Sequence, residues 1–249
     1  MGDAMLGVTL HYSPTVEWQR LRMVDFCSGL AALGISVEVT SSRERISDRP
    51  AILFGTTFWR AIESVPGDWL LVDRASYGDP DYVQLVWNGH GRRGDHCVPW
   101  DYDNSRWDAN PQPFLPERKA SDCTARVICA QTEPYCPQWP SIYAWYDSVK
   151  NATHYRPHPA EHQSMARLPI RTDFADAEAI VLNSSIGVPC VFDGVPLDVR
   201  DPHGAMCGNV WSDYGNDRTA WAHWLAWTQW RWDEIRSGNP ISHLFDRFD

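Results

Sequence analysis

The stretch that decides the fold occupies residues 179–199 and reads AIVLNSSIGVPCVFDGVPLDV. Its first four residues form an apolar candidate strand, and a segment that can turn helical follows NSSIG, residues 183–187. A strand that ends in Ser184 and Ser185 at a helix start offers two hydroxyls and free backbone N–H groups. The pattern therefore predicts an anion site, although serine pairs at such positions are also common helix caps.

A second motif, YRPHP at residues 155–159, lies upstream of this strand. Pro157 and Pro159 restrict the backbone of the residues around them to extended conformations. We therefore expect His158 to project from a rigid loop and not to pack inside a helix.

Together the two motifs resemble the nucleotide-binding half of GT-B glycosyltransferases, most closely the capsular-polysaccharide and Kdo-transferase type with its HP and SS motifs. The resemblance implies two Rossmann-like halves with a nucleotide-binding cleft between them, and it extends to bacterial sialyltransferases that use CMP-sugars. In that family the histidine and the serines contact the phosphate and ribose of the nucleotide. By resemblance, nucleotide binding falls to Arg156, His158, Pro159, Ser184, Ser185 and Gly187. Pro189 and Cys190 stand where the family carries Glu-Ala, a departure that removes an acidic contact to the nucleotide.

The first third of the chain alternates strand and helix patterns. Apolar runs predict strands at residues 5–10, 35–39, 51–54 and 69–72, and an amphipathic helix at residues 15–33. This order is typical of an α/β protein with an open, doubly wound parallel sheet. We predict an N-terminal acceptor-side half at residues 1–118 and a C-terminal half that binds the nucleotide-sugar at residues 119–249, joined by a loop at residues 99–122.

The second half shows a similar alternation. Residues 125–130 and the segment at His154 are expected strands, with a helix at residues 139–149 between them. Gln131 and Glu133 would follow the first of these strands and could touch the donor. In the last segment, residues 217–238, five tryptophans are expected on one amphipathic helix, where packing is favoured over a sugar-stacking platform.

Asp73 is the candidate catalytic base. It follows the predicted strand 69–72, and ligands of open α/β sheets bind at the carboxyl ends of the strands. The resembled family carries an acidic motif at the corresponding place. Asp79 and Asp81 are the rivals, although Asp79-Pro80 is typical of a turn.

We predict no metal site. Asp101-Tyr102-Asp103 matches the Asp-x-Asp pattern of a metal-binding motif. It lies in an aromatic, proline-flanked loop, however, where carboxylates more commonly form local caps. His154, His158 and His162 recur at helical spacing, but the prolines between them oppose a helix. The expected co-substrate is the nucleotide-sugar, with no other cofactor.

The composition and net charge limit the kinds of partner that the sequence favours. The 249 residues carry a net charge of −10, which does not favour binding of duplex DNA through many phosphate contacts. The sequence contains no long apolar run and no basic signal at its start, so we expect no membrane span and a cytoplasmic location. Seven cysteines without a C-x-x-C pair are expected to be reduced thiols.

Three classes of function remain open on the sequence. The first is a glycosyltransferase that uses a CMP- or UDP-linked sugar and a hydroxyl acceptor, on a saccharide or on a hydroxymethylated pyrimidine of phage DNA. The second is a phosphate-ester hydrolase, which would call for paired carboxylates or several histidines at a metal. The third is a non-catalytic protein that binds carbohydrate or nucleic acid through its tryptophans.

Overall fold

The chain is an α/β protein with two separate, largely parallel sheets. The computed structural model describes residues 7–42, 49–55, 67–76, 80–89, 94–130, 142–158 and 168–245. The chain divides into two compact units: unit 1 is Met1–His90, Gly94–Tyr102 and Trp224–Asp249, and unit 2 is Gly91–Arg93 and Asp103–His223. The predicted halves divided the chain at residue 118. In the structure, however, the segment from Trp224 onward belongs to unit 1 and not to the second half.

Unit 1 is built on a six-stranded sheet in the order β10-β5-β4-β3-β1-β2. Its strands are β1 (Gly7–His11), β2 (Ser36–Thr40), β3 (Ala51–Phe54), β4 (Trp69–Arg74), β5 (Tyr82–Trp87) and β10 (Gln229–Arg231). The first four are parallel, as predicted, whereas β5 runs antiparallel to both of its neighbours, β4 and β10. Sequence reasoning missed β5, because the turn residues around it obscured the apolar run YVQLVW.

Helix α1 (Glu17–Ala32) confirms the predicted helix but not its predicted apolar stripe. The apolar pattern predicts a stripe of Val16, Leu21, Val24, Leu30 and Leu33. Leu30 is buried as predicted, but Leu21 and Val24 are 55% and 62% exposed, and Phe26 and Gly29 are buried in their place. Gly29 explains this choice of face, because a Cβ there would lie 2.1 Å from the backbone oxygen of Ile235. Close backbone approach therefore decides which face of the helix is buried.

The tryptophan-rich segment is not one helix, so that prediction is wrong. It forms helix α6 (Arg218–Ala226), strand β10 and helix α7 (Trp232–Ser237), and α8 (Asn239–Phe245) follows. The helix stops because β10 pairs with β5, where the buried Gln229 side chain accepts a hydrogen bond from the backbone N–H of Ser76 at 2.7 Å. Trp230 and Trp232 enter the core of unit 1, whereas Trp221 is buried in unit 2.

Unit 2 is built on a four-stranded, fully parallel sheet in the order β7-β6-β8-β9. Its strands are β6 (Ala125–Cys129), β7 (His154–Arg156), β8 (Ala177–Val181) and β9 (Leu197–Val199). Its helices are α2 (Ser105–Ala109), α3 (Ile142–Ser148), α4 (Gly187–Phe192) and α5 (Asn209–Ser212), with a 3₁₀ turn at Ala120–Asp122. The predicted loop at residues 99–122 thus holds two short helical turns.

The parallel strands of the two units share one order. In unit 1 the chain places β2 beside β1 and then crosses to β3 and β4 on the other side; in unit 2, β7, β6, β8 and β9 repeat this plan. The direction in which successive strands are added to the sheet reverses between the first and third strands of each set. Ligands of open α/β sheets bind outside the carboxyl ends of the strands at such a reversal. No helix in the described part of the chain is long and apolar enough to cross a membrane.

Candidate functional site

Polar side chains from two neighbouring strand ends of unit 2 continue one row of the sheet register. Val127 of β6 pairs with His154 and Ala179, and Ala179 pairs with Leu197. Counted four residues onward from Ala179 and Leu197, the row holds Asn183 and Asp201. Residues an even number of positions apart along a strand point to the same side of the sheet. The 3.4 Å contact between Asn183 Nδ2 and Asp201 Oδ2 shows that the row continues beyond β8 and β9.

His158 follows strand β7, in the described residues, without entering a helix. It is half-buried, as is Pro157 before it. Pro159 and His162 lie outside the described residues, so their predicted roles remain predictions. His154, at the opposite end of β7, contacts the Thr153 hydroxyl through Nδ1 at 2.9 Å.

The serine pair forms the turn between β8 and α4. The Ser184 hydroxyl accepts a 3.5 Å hydrogen bond from the backbone N–H of Ile186, which is the local capping role that serines commonly take. Ser185 is exposed, and no described residue bonds its hydroxyl. No described residue accepts a hydrogen bond from the backbone N–H of Ser184 or Ser185 either. Successive N–H groups without partners make a concavity that suits an anion.

Arg156 brings a positive charge to the same edge. It is the last residue of β7, and its Nε donates to the Thr172 carbonyl at 3.3 Å while the guanidinium lies 5.8 Å from the Phe174 ring centre. Within the described part of the chain it forms no ion pair with a carboxylate. Arg126, by contrast, is held by Glu178 and by Asp198. Of these two arginines, Arg156 is therefore the one whose charge can meet a ligand.

Gly187 has a packing role that the motif did not reveal. It is buried at the start of α4, and a Cβ there would lie 2.3 Å from Cys207 Sγ. Its lack of a side chain lets the segment that carries Cys207 pass over the helix start. Its predicted contact with a nucleotide remains a prediction.

Three thiols of unit 2, those of Cys129, Cys190 and Cys207, are buried. Burial raises the pKa of Cys129 and of Cys207 to about 12, and it raises the pKa of Cys190 as well. All three are neutral at physiological pH and behave as small apolar side chains. In the described residues no group of three or more histidines, cysteines or carboxylates is placed to hold a metal ion.

The surroundings of Asp73 in the structure differ from those predicted. Strand β4 continues to Arg74, since its last residues pair with β5, so the strand does not stop before Asp73 as expected. Asp73 is half-buried, and its Oδ1 accepts a 2.8 Å hydrogen bond from the backbone N–H of Arg74. The rival Asp81 lies opposite Arg22 at 3.5 Å with its side chain 75% exposed. Asp79, Gln131 and Glu133 lie outside the described residues.

The Asp101-Tyr102-Asp103 sequence serves local structure. Asp103 Oδ1 accepts hydrogen bonds from both the hydroxyl and the backbone N–H of Ser105, at 2.5 and 3.0 Å, at the start of α2. These bonds hold the pKa of Asp103 below its ordinary value. Asp103 therefore stabilises a local turn directly before α2, whose N-cap residue is Asn104.

Sequence reasoning overlooked Asn183 and Asp201. Both are at least nine-tenths buried at the carboxyl edge. Asn183 is the first letter of NSSIG, and Asp201 precedes a proline as a turn residue does, so each had a simpler local explanation. Only the register of β8 and β9 shows that they meet.

Unpaired N–H groups, a hydroxyl, an imidazole and an arginine at one sheet edge can bind a phosphate and stabilise negative charge on its oxygens. Buried amide and carboxylate groups beside them can orient a polar ligand. No protein-family model, no curated protein and no solved structure matches the chain.

Proposed function

We propose that the chain is a metal-independent glycosyltransferase of GT-B-like architecture that moves a sugar from a CMP- or UDP-linked donor to an acceptor hydroxyl. The observation that carries this proposal is that His158 and the Ser184-Ser185 turn leave the same edge of one parallel sheet. Strand β6 lies between the strands that hold them, which separates the two motifs by two strand spacings, roughly 10 Å. A phosphate above the end of β6 is thus flanked by donors on two sides.

The leaving group explains why these residue types suit the reaction. When the sugar–phosphate bond breaks, negative charge grows on the phosphate oxygen that the sugar leaves behind. Arg156 offers a charge that no described carboxylate neutralises, and the Ser185 hydroxyl and N–H add two donors. Donors held in place before the reaction stabilise such charge without reorganisation. His158 supplies a further N–H from the opposite side.

The acceptor needs a base. We assign that role to Asp73, whose carboxylate would take the proton of the attacking hydroxyl; a positioned general base typically contributes about 100-fold to 10,000-fold in rate. The acceptor is a saccharide hydroxyl or the hydroxymethyl group of a modified pyrimidine in phage DNA. The net charge of −10 favours the saccharide.

Nucleotide binding is the first test. We expect CMP or UDP, from a panel that also contains GDP and dTDP, to raise the midpoint of thermal unfolding in proportion to ln(1 + [L]/Kd). His158→Ala should reduce this shift. His154→Ala is the matched control, because it removes the same side chain from the other end of the same strand. The proposal fails if no nucleotide stabilises the wild-type protein, or if both variants lose the shift equally.

Transfer is the second test, with CMP- and UDP-sugars as donors and oligosaccharides or hydroxymethylated DNA as acceptors. Asp73→Asn should retain nucleotide binding and lose about 100-fold or more of the turnover. Asp81→Asn is measured in parallel. If Asp81→Asn loses turnover and Asp73→Asn does not, our assignment of the base is wrong.

One observation favours a second candidate, a carbohydrate-binding protein without catalysis. The side chain of Trp100 is 94% exposed, and Asp101 follows it in the chain. Exposed aromatic rings beside polar groups suit the stacking of sugar rings. This candidate predicts oligosaccharide binding that is lost in Trp100→Ala and unchanged in Asp73→Asn, with no transfer from any nucleotide-sugar.

A further inference from the structure

The Asn183 side chain is hydrogen-bonded at only one of its two ends. Asn183 is 8% exposed, and its Nδ2 donates to Asp201 Oδ2 at 3.4 Å. Its Oδ1 is buried, and nothing in the described part of the chain donates to it. Buried polar atoms are almost always paired, because an unpaired one has lost its hydrogen bond to water. The orphan acceptor lies at the carboxyl edge of β8, next to the serine turn.

Asp201 fixes which end of the amide faces it. If the amide were turned over, Oδ1 would meet a carboxylate oxygen, and two acceptors repel each other. Asp201 is itself held in place: it is 5% exposed, and its Oδ1 accepts a 3.2 Å hydrogen bond from the backbone N–H of Gly204. A side chain at Gly204 would come within 2.1 Å of Asp201 Oδ2, so the backbone closes tightly around this carboxylate. The end of the Asn183 side chain that has no partner among the described residues is therefore an acceptor and not a donor.

We propose that Asn183 is a specificity-determining residue that accepts a hydrogen bond from a ribose hydroxyl of the bound nucleotide, and that Asp201 is its positioning residue. This inference depends on the proposed function, because it takes the serine turn as the phosphate site. Asn183 directly precedes Ser184, and consecutive Cα atoms are about 3.8 Å apart. In a nucleotide the ribose is the hydroxyl-bearing group next to the phosphate, whereas the amino group of the base lies farther away.

A buried acceptor of this kind discriminates strongly between ligands. A site built to pair with a hydroxyl rejects an analogue without it, because the buried protein group is then left unpaired. The nucleotide's own hydroxyl thus supplies the partner that the described residues do not. The inference identifies ribonucleotides, and not deoxyribonucleotides, as the donor class.

Isothermal titration of CMP, 2′-deoxy-CMP and 3′-deoxy-CMP, and of the corresponding uridine nucleotides, tests this inference. We expect the wild-type protein to bind the ribonucleotide about tenfold more tightly than at least one deoxy form. In Asn183→Ala this ratio should fall to about one, because the acceptor is gone. Asn151→Ala, at an exposed turn of the same unit, should keep the wild-type ratio.

Asp201→Asn provides a second variant in case Asn183→Ala does not fold. It keeps the shape of the side chain but allows the Asn183 amide to turn over, so the ratio should fall while binding of the deoxy nucleotide is retained. A purely structural role would weaken binding of both nucleotides together. Circular dichroism and thermal unfolding of each variant establish that it is folded.

The outcomes separate this inference from the function on which it depends. If the wild-type protein binds ribo- and deoxynucleotides equally, or if Asn183→Ala keeps the ratio, the inference is overturned while nucleotide binding stands. If no nucleotide in the panel binds the wild-type protein, the proposed function fails, and the inference fails with it.

Discussion

Replacement of Gly187 by alanine separates packing from ligand binding at the motif that first suggested the site. The added Cβ would lie 2.3 Å from Cys207 Sγ and 3.3 Å from Cys207 Cβ. Ordinary contacts between carbon atoms begin near 3.5 Å, so the sulfur must move by roughly 1 Å. It has little room to do so, because Cys207 is fully buried.

The expected effect is a loss of stability. Overpacking of a core costs about 1–3 kcal/mol, and the better helix propensity of alanine offsets up to about 1 kcal/mol of that. In a chain of this length, each kcal/mol corresponds to roughly 2–4 °C in the midpoint of thermal unfolding. We therefore expect Gly187→Ala to unfold several degrees below the wild-type protein.

A double-mutant cycle with Cys207→Ala checks the cause. Removal of the sulfur leaves only the 3.3 Å contact, so Gly187→Ala should cost much less in the Cys207→Ala background than in the wild-type protein. The double variant should also bind nucleotide normally if the glycine serves packing alone. An equal cost in both backgrounds would refute the steric argument, and a stable double variant that has lost nucleotide binding would show that Gly187 contacts the ligand.

Three further predictions follow from contacts outside the serine turn. Gly29→Ala should destabilise the protein by about 3 kcal/mol or more, measured by urea unfolding, because its Cβ would meet backbone at 2.1 Å; Ser28→Ala, on the exposed side of α1, is the control that should change little. The buried thiols Cys129, Cys190 and Cys207 should resist iodoacetamide at pH 8 until urea is added, because burial raises their pKa; native-state labelling seen by mass spectrometry would contradict this. Hydrogen bonds from Thr124 and Arg171 lower the pKa of Asp176, so its contribution to stability is present above its unfolded pKa of about 3.9 and is lost as the pH falls through the lower folded value. In Asp176→Asn the urea midpoint should therefore fall less between pH 5 and about pH 2 than in the wild-type protein; equal slopes would contradict this prediction.

Local patterns predicted the parallel strands β1, β2, β3, β4, β6 and β8 because each contains a short apolar run that needs no partner to be recognised. The antiparallel strands β5 and β10 were missed for the opposite reason. Gln229 is polar and follows a helical pattern, and it becomes strand only because β5 pairs with it and Ser76 bonds its side chain. A contact between residues so far apart in the chain leaves no trace in local periodicity.

The buried face of α1 was mispredicted for a related reason. Hydrophobicity alone favours a stripe through Leu21 and Val24, yet both are exposed. The helix is oriented instead by the close approach of Gly29 to the backbone of Ile235. A glycine in a helical pattern looks like a weak helix former, and its role as a contact surface becomes visible only when the partner segment is known.

The motifs predicted the candidate site in part. Polar residues after apolar runs pointed to His158 and the serine pair, and both follow strands of one parallel sheet. Asn183 and Asp201 could not be paired from the sequence, since their contact depends on the register of β8 against β9. The register is set by packing of whole strands, and a shift of one residue would turn these side chains to the other face.

The two units repeat the same order of parallel strands, so each has a reversal of strand order of the kind at which ligands of open α/β sheets bind. In unit 1 two of the described N–H groups beyond β1 and β3 are already bonded: that of Ser13 donates to Gln19 Oε1 at 2.7 Å, and that of Gly55 donates to the Val72 carbonyl at 2.7 Å. In unit 2 the N–H groups of Ser184 and Ser185 have no acceptor among the described residues. A phosphate binds most favourably to donors that do not first have to break a hydrogen bond within the protein. The phosphate site that we propose at the serine turn of unit 2 would therefore displace no hydrogen bond from these two N–H groups to a described residue.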